Sequence, residues 1–291
     1  MLAHIKEILE HSQKNGYAVG AFNIHNLESV LGVAQAAEKL GSPAIIQVSE
    51  GAIKYMGLKP ITHIVSTVAK NVAANVPIAL HLDHGKNLTN VFECIRAGFS
   101  SVHIDASDLP LDENIEASKQ VVEIAHAKGV WVQGEVGAIM GGHGDIDGVL
   151  DEIPLAKFED VVKFCEDTGV DTIAAAVGTA HGVYANEDVK IDLLKKILDA
   201  TKKPFVLHGG SGVDREVIKK AIDNGVDIIN IGTDIKVAFT NALRKSVKDQ
   251  PKETDPRKLL KPTIEAVQKV VEEQMILFGS AGKMYKEKIE T

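Results

Sequence analysis

Eight short apolar runs, most with a polar residue directly after them and each followed by an amphipathic stretch, predict an α/β fold, the (β/α)8 TIM barrel. The length of 291 residues suits one such barrel, which takes about 250 residues. We expect a single domain over residues 1–291, with a helical extension covering about residues 250–291.

The elements follow in order. Up to Gly16, residues Leu2, Ile5, Ile8 and Leu9 fall at helical spacing, while Glu7 and Glu10 exclude the apolar core of a secretion signal. The strands read as Ala18 to Phe22, Ala44 to Val48, Ile78 to Leu82, Ser101 to Ile104, Val130 to Gly134, Thr172 to Ala176, Phe205 to Leu207 and Ile228 to Ile231. Helical patterns lie between them, for instance Leu27 to Leu40, Asn87 to Ala97 and Asp214 to Asn224. Gly137 to Pro154, rich in Gly and Asp, breaks the spacing and reads as a long mobile loop suited to a lid. Asp255-Pro256 opens a long helix ending near Gly279, expected to pack on the barrel or on a partner subunit.

An open doubly wound sheet is the competing topology. The polar residues favour the barrel. Asn23, Ser49, Asp83 with His84, Asp105, Glu135, Gly178 to His181, His208, and Asn230 with Thr233 all lie at or just after strand ends. They form a ring at the face where barrel active sites lie.

With 45% hydrophobic and 25% charged residues, the composition is that of a soluble enzyme. A net charge of -8 and the lack of a basic stripe argue against nucleic acid as a partner. No run approaches the roughly 20 apolar residues of a membrane span, and a cytoplasmic location is expected. Cys94 and Cys165 lie in helical patterns outside any CxxC pair and read as buried free thiols.

His84, His181 and His208 follow the third, sixth and seventh strands, and imidazoles from separate strands can meet above a barrel. Neutral imidazole suits zinc, and three protein ligands with an open position mark a catalytic site. On spacing alone, hydrogen-bonded pocket histidines are the other reading. Gly209-Gly210-Ser211 and Asn230-Ile231-Gly232-Thr233 fall where barrels commonly bind phosphate with backbone N–H groups. His81 reads as a strand residue below the site, and His103 and His126 as structural or exposed. Lys86, Lys202 and Lys203 lack the apolar strand-end setting that a Schiff-base lysine needs.

The segments His81-Leu82-Asp83-His84-Gly85, Gly178-Thr179-Ala180-His181-Gly182 and Val206-Leu207-His208-Gly209-Gly210-Ser211-Gly212 carry a family resemblance. Together with Ala21-Phe22-Asn23 and Phe278-Gly279-Ser280-Ala281-Gly282-Lys283, they resemble the class II fructose- and tagatose-bisphosphate aldolases over nearly the whole chain. The resemblance implies that His84, His181 and His208 bind one catalytic Zn2+ and that Asp83 is the acid/base at the C4 hydroxyl. Zinc would polarise the ketone and hold the enediolate left by C3–C4 cleavage. Asp105 and Glu135 match a second or alternative divalent-metal site, or else orient the histidines. Gly182 and the two glycine-rich segments are assigned to dihydroxyacetone phosphate, and Asn23 and Ser49 to substrate contact.

The chain departs from the family pattern in two places. Where adjacent acidic residues usually supply the base for dihydroxyacetone phosphate, it reads Gly141-Gly142-His143-Gly144-Asp145, leaving Asp145 or His143 as the substitute. Val48-Ser49-Glu50-Gly51 is fructose-like, whereas Thr233 to Phe239 is tagatose-like, and Gly232 replaces the Asn or Asp frequent in fructose-type members. The resulting expectation is a lyase splitting fructose 1,6-bisphosphate into dihydroxyacetone phosphate and glyceraldehyde 3-phosphate, acting as a homodimer or homotetramer. The alternatives are a tagatose-bisphosphate aldolase, a non-catalytic sugar-phosphate-binding subunit, and an isomerase or epimerase on the same fold.

Overall fold

A computed structural model describes residues 2–137, 139, 153–182 and 188–284. Eight parallel strands close a barrel in sequence order: β1 Val19–Asn23, β2 Ala44–Ser49, β3 Ile78–Gly85, β4 Ser101–Ile104, β5 Trp131–Val136, β6 Thr172–Ala175, β7 Phe205–Leu207 and β8 Val226–Ile231. Closure comes from β1 pairing with β8, Val19 opposite Ile228 and Phe22 opposite Ile231. This rules out the open sheet. The strands are short and rich in Val, Ile and Ala, as expected where both faces are buried.

Eleven helices are present among the described residues: α1 Ile5–Asn15, α2 Leu27–Leu40, α3 Glu50–Met56, α4 Leu58–Asn71, α5 Leu88–Arg96, α6 Leu111–His126, α7 Phe158–Thr168, α8 Ile191–Thr201, α9 Arg215–Asp223, α10 Thr233–Asp249 and α11 Pro256–Leu277. Helix α2 starts where Asn26 and Ser29 satisfy each other's backbone N–H groups, and it stops at Gly41, whose left-handed φ of 57° ends the turn. Helix α1 plugs the foot of the barrel. Its Ile5, Ile8 and Leu9 pack with the inward residues Ala21, Ile45, Ala79, Ala174, Val206 and Ile228. The centre of the foot is therefore apolar.

The C-terminal extension packs on the barrel, with α11 lying across α2 and α10. Gly32 permits the close approach, since a Cβ there would stand 2.7 Å from Val267 Cγ1. Cys94 and Cys165 are buried in α5 and α7 as expected. No helix among the described residues is long and apolar enough to cross a membrane. Most of the Gly137–Pro154 loop, including His143 and Asp145, lies outside the described residues.

Strand boundaries differ from the sequence reading in one way that matters. Asn23, Ser49, Asp83, His84 and Glu135 belong to the last turns of the strands themselves, not to the loops after them. Ladder pairing therefore fixes the backbones of Asn23, Ser49, Asp83 and Glu135.

Candidate metal centre and active site

Alternation along a strand sends every second side chain inward. At the C-terminal end of the barrel this brings Asn23, Gln47, Asp83, His103, Glu135, His208 and Asn230 toward one axis. Consecutive residues should face opposite ways, yet both Asp83 and His84 reach the site. The β3–β4 register shifts between Leu82 and Gly85, and His84 has φ 47°, a left-handed value that non-glycine residues seldom adopt. That irregularity leaves His84 Nε2 3.8 Å from Asp83 Oδ1.

Three imidazoles converge there. The His84 ring centroid lies 4.7 Å from that of His208 and 4.8 Å from that of His181, with His181 and His208 5.7 Å apart. His84 Nδ1 meets Asp105 Oδ2 at 2.7 Å, and His84 Nε2 meets His208 Nδ1 at 3.1 Å. The Gln133 amide meets His208 Nε2 at 2.8 Å. A carboxylate on one imidazole nitrogen with the other turned inward is the usual support of a metal-binding histidine.

Two overlapping sets have ligand atoms within 4.8 Å of one another: Asp83, His84, His103 and His208, and His84, His103, Asp105 and Glu135. Among the described residues, several buried atoms here lack a hydrogen-bond partner, including Asp83 Oδ1, Glu135 Oε2 and Asn230 Oδ1. Unpaired buried carboxylate oxygens are costly unless a cation meets them. The mix of imidazole nitrogen and carboxylate oxygen suits a zinc-like divalent ion, so the residues fit the metal.

The electrostatics point the same way. Burial opposes protonation of His84, but Asp83, Asp105 and Glu135 outweigh it and lift its pKa to about 9. A proton there marks where a cation is favoured. Burial alone would raise Asp83 and Asp105, yet His84 and other nearby donors hold both carboxyls below their ordinary values. Glu135 is pushed up to about 7 by burial, with His84 opposing. His208 is driven well below its ordinary value by burial and the neighbouring histidines. It is neutral, as a ligand must be.

Beside the histidines, a narrow cleft is lined by Gly182, Gly209, Ser211, Asn230, Gly232 and Thr233. Ser211 Oγ accepts the N–H groups of Gly232 and Asp234, each at 3.2 Å, so its own proton points elsewhere. On the other side opens a cavity of about 650 Å3, bordered by Asn23, Ser49, Tyr55, Asp83, Lys236 and Phe239.

A sequence model of the family described as "Fructose-bisphosphate aldolase class-II" matches residues 3–283. The chain belongs to the class II fructose-bisphosphate aldolase family. It is 42% identical to the fructose-bisphosphate aldolase of Streptococcus pyogenes serotype M3 over 291 residues, covering 96% of this chain and 98% of that one. The same enzyme from Geobacillus stearothermophilus is 42% identical over 286 residues, covering 97% and 98%. Among solved structures, the YdjI aldolase from Escherichia coli K12 superposes with a TM-score of 0.82 at 29% identity, covering 98% of this chain and 100% of that one. The Campylobacter jejuni fructose-bisphosphate aldolase gives a TM-score of 0.83 at 25% identity, with 97% of each chain covered.

Most of the residues that the aldolase resemblance implied come together. Ile231 is fully buried in the hydrophobic core, which leaves its backbone alone to face the cleft. Gly210 donates its N–H to Asn230 O at 3.1 Å. Ser49 borders the large cavity, and its Oγ also accepts from Ala52 N–H at the start of α3. His81 lies buried against Ser101, and His126 pairs with Asp171 at the surface.

Sequence reasoning missed His103, Ser107 and Lys236. His103 was grouped with structural histidines, although its spacing of two from Asp105 places both on one strand face. Ser107 Oγ bridges Asp105 Oδ1 at 2.7 Å and Glu135 Oε1 at 3.0 Å. Lys236 sits in the first turns of α10, where the helix dipole disfavours a cation. A lysine at such a position was a readable signal.

Proposed function

We propose that this protein reversibly cleaves fructose 1,6-bisphosphate to dihydroxyacetone phosphate and glyceraldehyde 3-phosphate in a zinc-dependent reaction. The observation that carries the reading is the convergence of His84, His181 and His208 on Asp83, between the cleft and the large cavity. His84, His181 and His208 would hold the ion, with Asp105 and Glu135 available to a second divalent cation. When bound, zinc supplies Lewis acidity toward the substrate's ketone oxygen.

The chain's own groups do the rest. Asn23 donates to Asp83 Oδ2 at 2.7 Å, fixing the carboxylate, while Oδ1 is left to take the C4 hydroxyl proton in cleavage and return it in condensation. The lowered pKa of Asp83, set by His84 and Asn23 against burial, keeps it ionised at neutral pH. The Ser211 hydroxyl and Thr233 at the start of α10 border the cleft and offer donors to the phosphate of the dihydroxyacetone half. Lys236 is the one lysine or arginine among the described residues bordering the large cavity, and we assign it the distal phosphate. Burial lowers its pKa, with Asp83 opposing. Asp145 is proposed as the base at dihydroxyacetone phosphate, and the active form as a homodimer or homotetramer.

Tagatose 1,6-bisphosphate differs only at C4, and Gly232 leaves the wall beside Asn23 without a side chain. A side-by-side cleavage assay with both sugars, reading triose phosphate through a coupled dehydrogenase, tests the assignment. Faster turnover of fructose 1,6-bisphosphate supports it. Release of triose phosphate from tagatose 1,6-bisphosphate alone moves the substrate, and release from neither removes the aldolase reading.

A further inference from the structure

His103 is fully buried on β4, and its two ring nitrogens meet different neighbours. Nδ1 receives the backbone N–H of His84 at 3.2 Å. Because a backbone N–H only donates, Nδ1 is the acceptor and the neutral ring carries its proton on Nε2. Nε2 faces Glu135 Oε2 at 3.6 Å, and neither atom makes a hydrogen bond among the described residues. His103 lies within ligand spacing of His84, Asp105 and Glu135, but a protonated Nε2 has no lone pair to give a metal.

We propose that His103 is a positioning residue for the metal centre, pinning the left-handed backbone of His84 through Nδ1 and presenting an N–H to Glu135 through Nε2. The need for such a pin is local. The β3–β4 ladder pairs Leu82 with Val102 and Gly85 with Ile104, skipping His84. At φ 47° a histidine backbone is strained, and strain of this kind persists only where neighbours over-determine it. The His103 imidazole takes the N–H that the ladder leaves out. It thereby holds the one conformation in which Asp83 and His84 face the same side.

The proposal rests on His84 being a metal ligand, so its test has two arms. The first uses metal-free wild-type protein and reads the His103 tautomer from its imidazole 15N resonances. An Nε2–H form is expected, and an Nδ1–H form overturns the proposal. The second compares His103→Asn, whose carbonyl oxygen stands near the place of Nδ1, with His103→Gln, whose amide nitrogen stands near that of Nε2. Zinc affinity is measured by chelator competition. The Asn variant should remain within about threefold of wild type, and the Gln variant should weaken on the order of 10–100-fold, the usual cost of losing a ligand's support. A Gln variant that binds as tightly as the Asn variant overturns the proposal, as does loss of a zinc equivalent in both. Should neither variant fold, the tautomer decides. Wild-type protein that binds no zinc would defeat the metal reading, and the tautomer result would still stand for His103.

Discussion

Asn23 donates to Asp83 Oδ2 at 2.7 Å and receives the Gln47 side-chain amide at 2.8 Å, so the carboxylate proposed as the acid/base ends a relay of three side chains. Gly232 leaves room for it, because a Cβ at that position would stand 2.9 Å from Asn23 Oδ1. Gly232→Ala should therefore displace Asn23 and lower kcat by about 10-fold, within the range of a disturbed acid/base group, with a smaller change in KM. Steady-state kinetics check this, and an unchanged kcat would show that the relay does not hold Asp83.

Lys236→Met removes the cation assigned to the distal phosphate. Charged hydrogen bonds contribute about 1.5–3 kcal/mol, so kcat/KM for fructose 1,6-bisphosphate should fall roughly 10–150-fold. Proton exchange into dihydroxyacetone phosphate, which has no distal phosphate, should change far less. Equal losses in both assays would place Lys236 elsewhere in the reaction.

Asp145→Ala should nearly stop exchange of the carbon-bound proton of dihydroxyacetone phosphate with solvent, followed by NMR in deuterated buffer. Normal exchange would transfer the role of base to another group, with His143 next to be substituted.

The eight strands, the helical extension and the ring of polar residues were legible in the sequence because period and strand-end position are properties of short segments. His84 and Asp83 were legible as types. Their shared orientation was not, since alternation predicts opposite faces and only the register shift at Leu82–Gly85 overrides it. A glycine-rich motif does not say which N–H groups the fold uses, and that of Gly210 goes to Asn230 O. Ser107 escaped notice because a serine two residues beyond Asp105 acquires meaning only when β5 brings Glu135 alongside.

With His84 as a ligand, as proposed, its protonation competes with metal. Its pKa of about 9 in the metal-free protein lies above the ordinary 6.5, so the stabilisation from this proton is complete below 6.5 and lost as pH rises through 9. Zinc binding must displace the proton over that window. The apparent zinc affinity should then rise about tenfold per pH unit between 6.5 and 9 and level off above it, as seen by chelator competition. A flat profile would mean that His84 is not protonated in the metal-free site.

If cleavage depends on an ion held by His84, His181 and His208, protein stripped with chelator should show no turnover. Titrating it with zinc, with metal content and triose-phosphate release followed on the same sample, should restore activity in step with the first equivalent; full activity at negligible metal content would show that no such ion is needed.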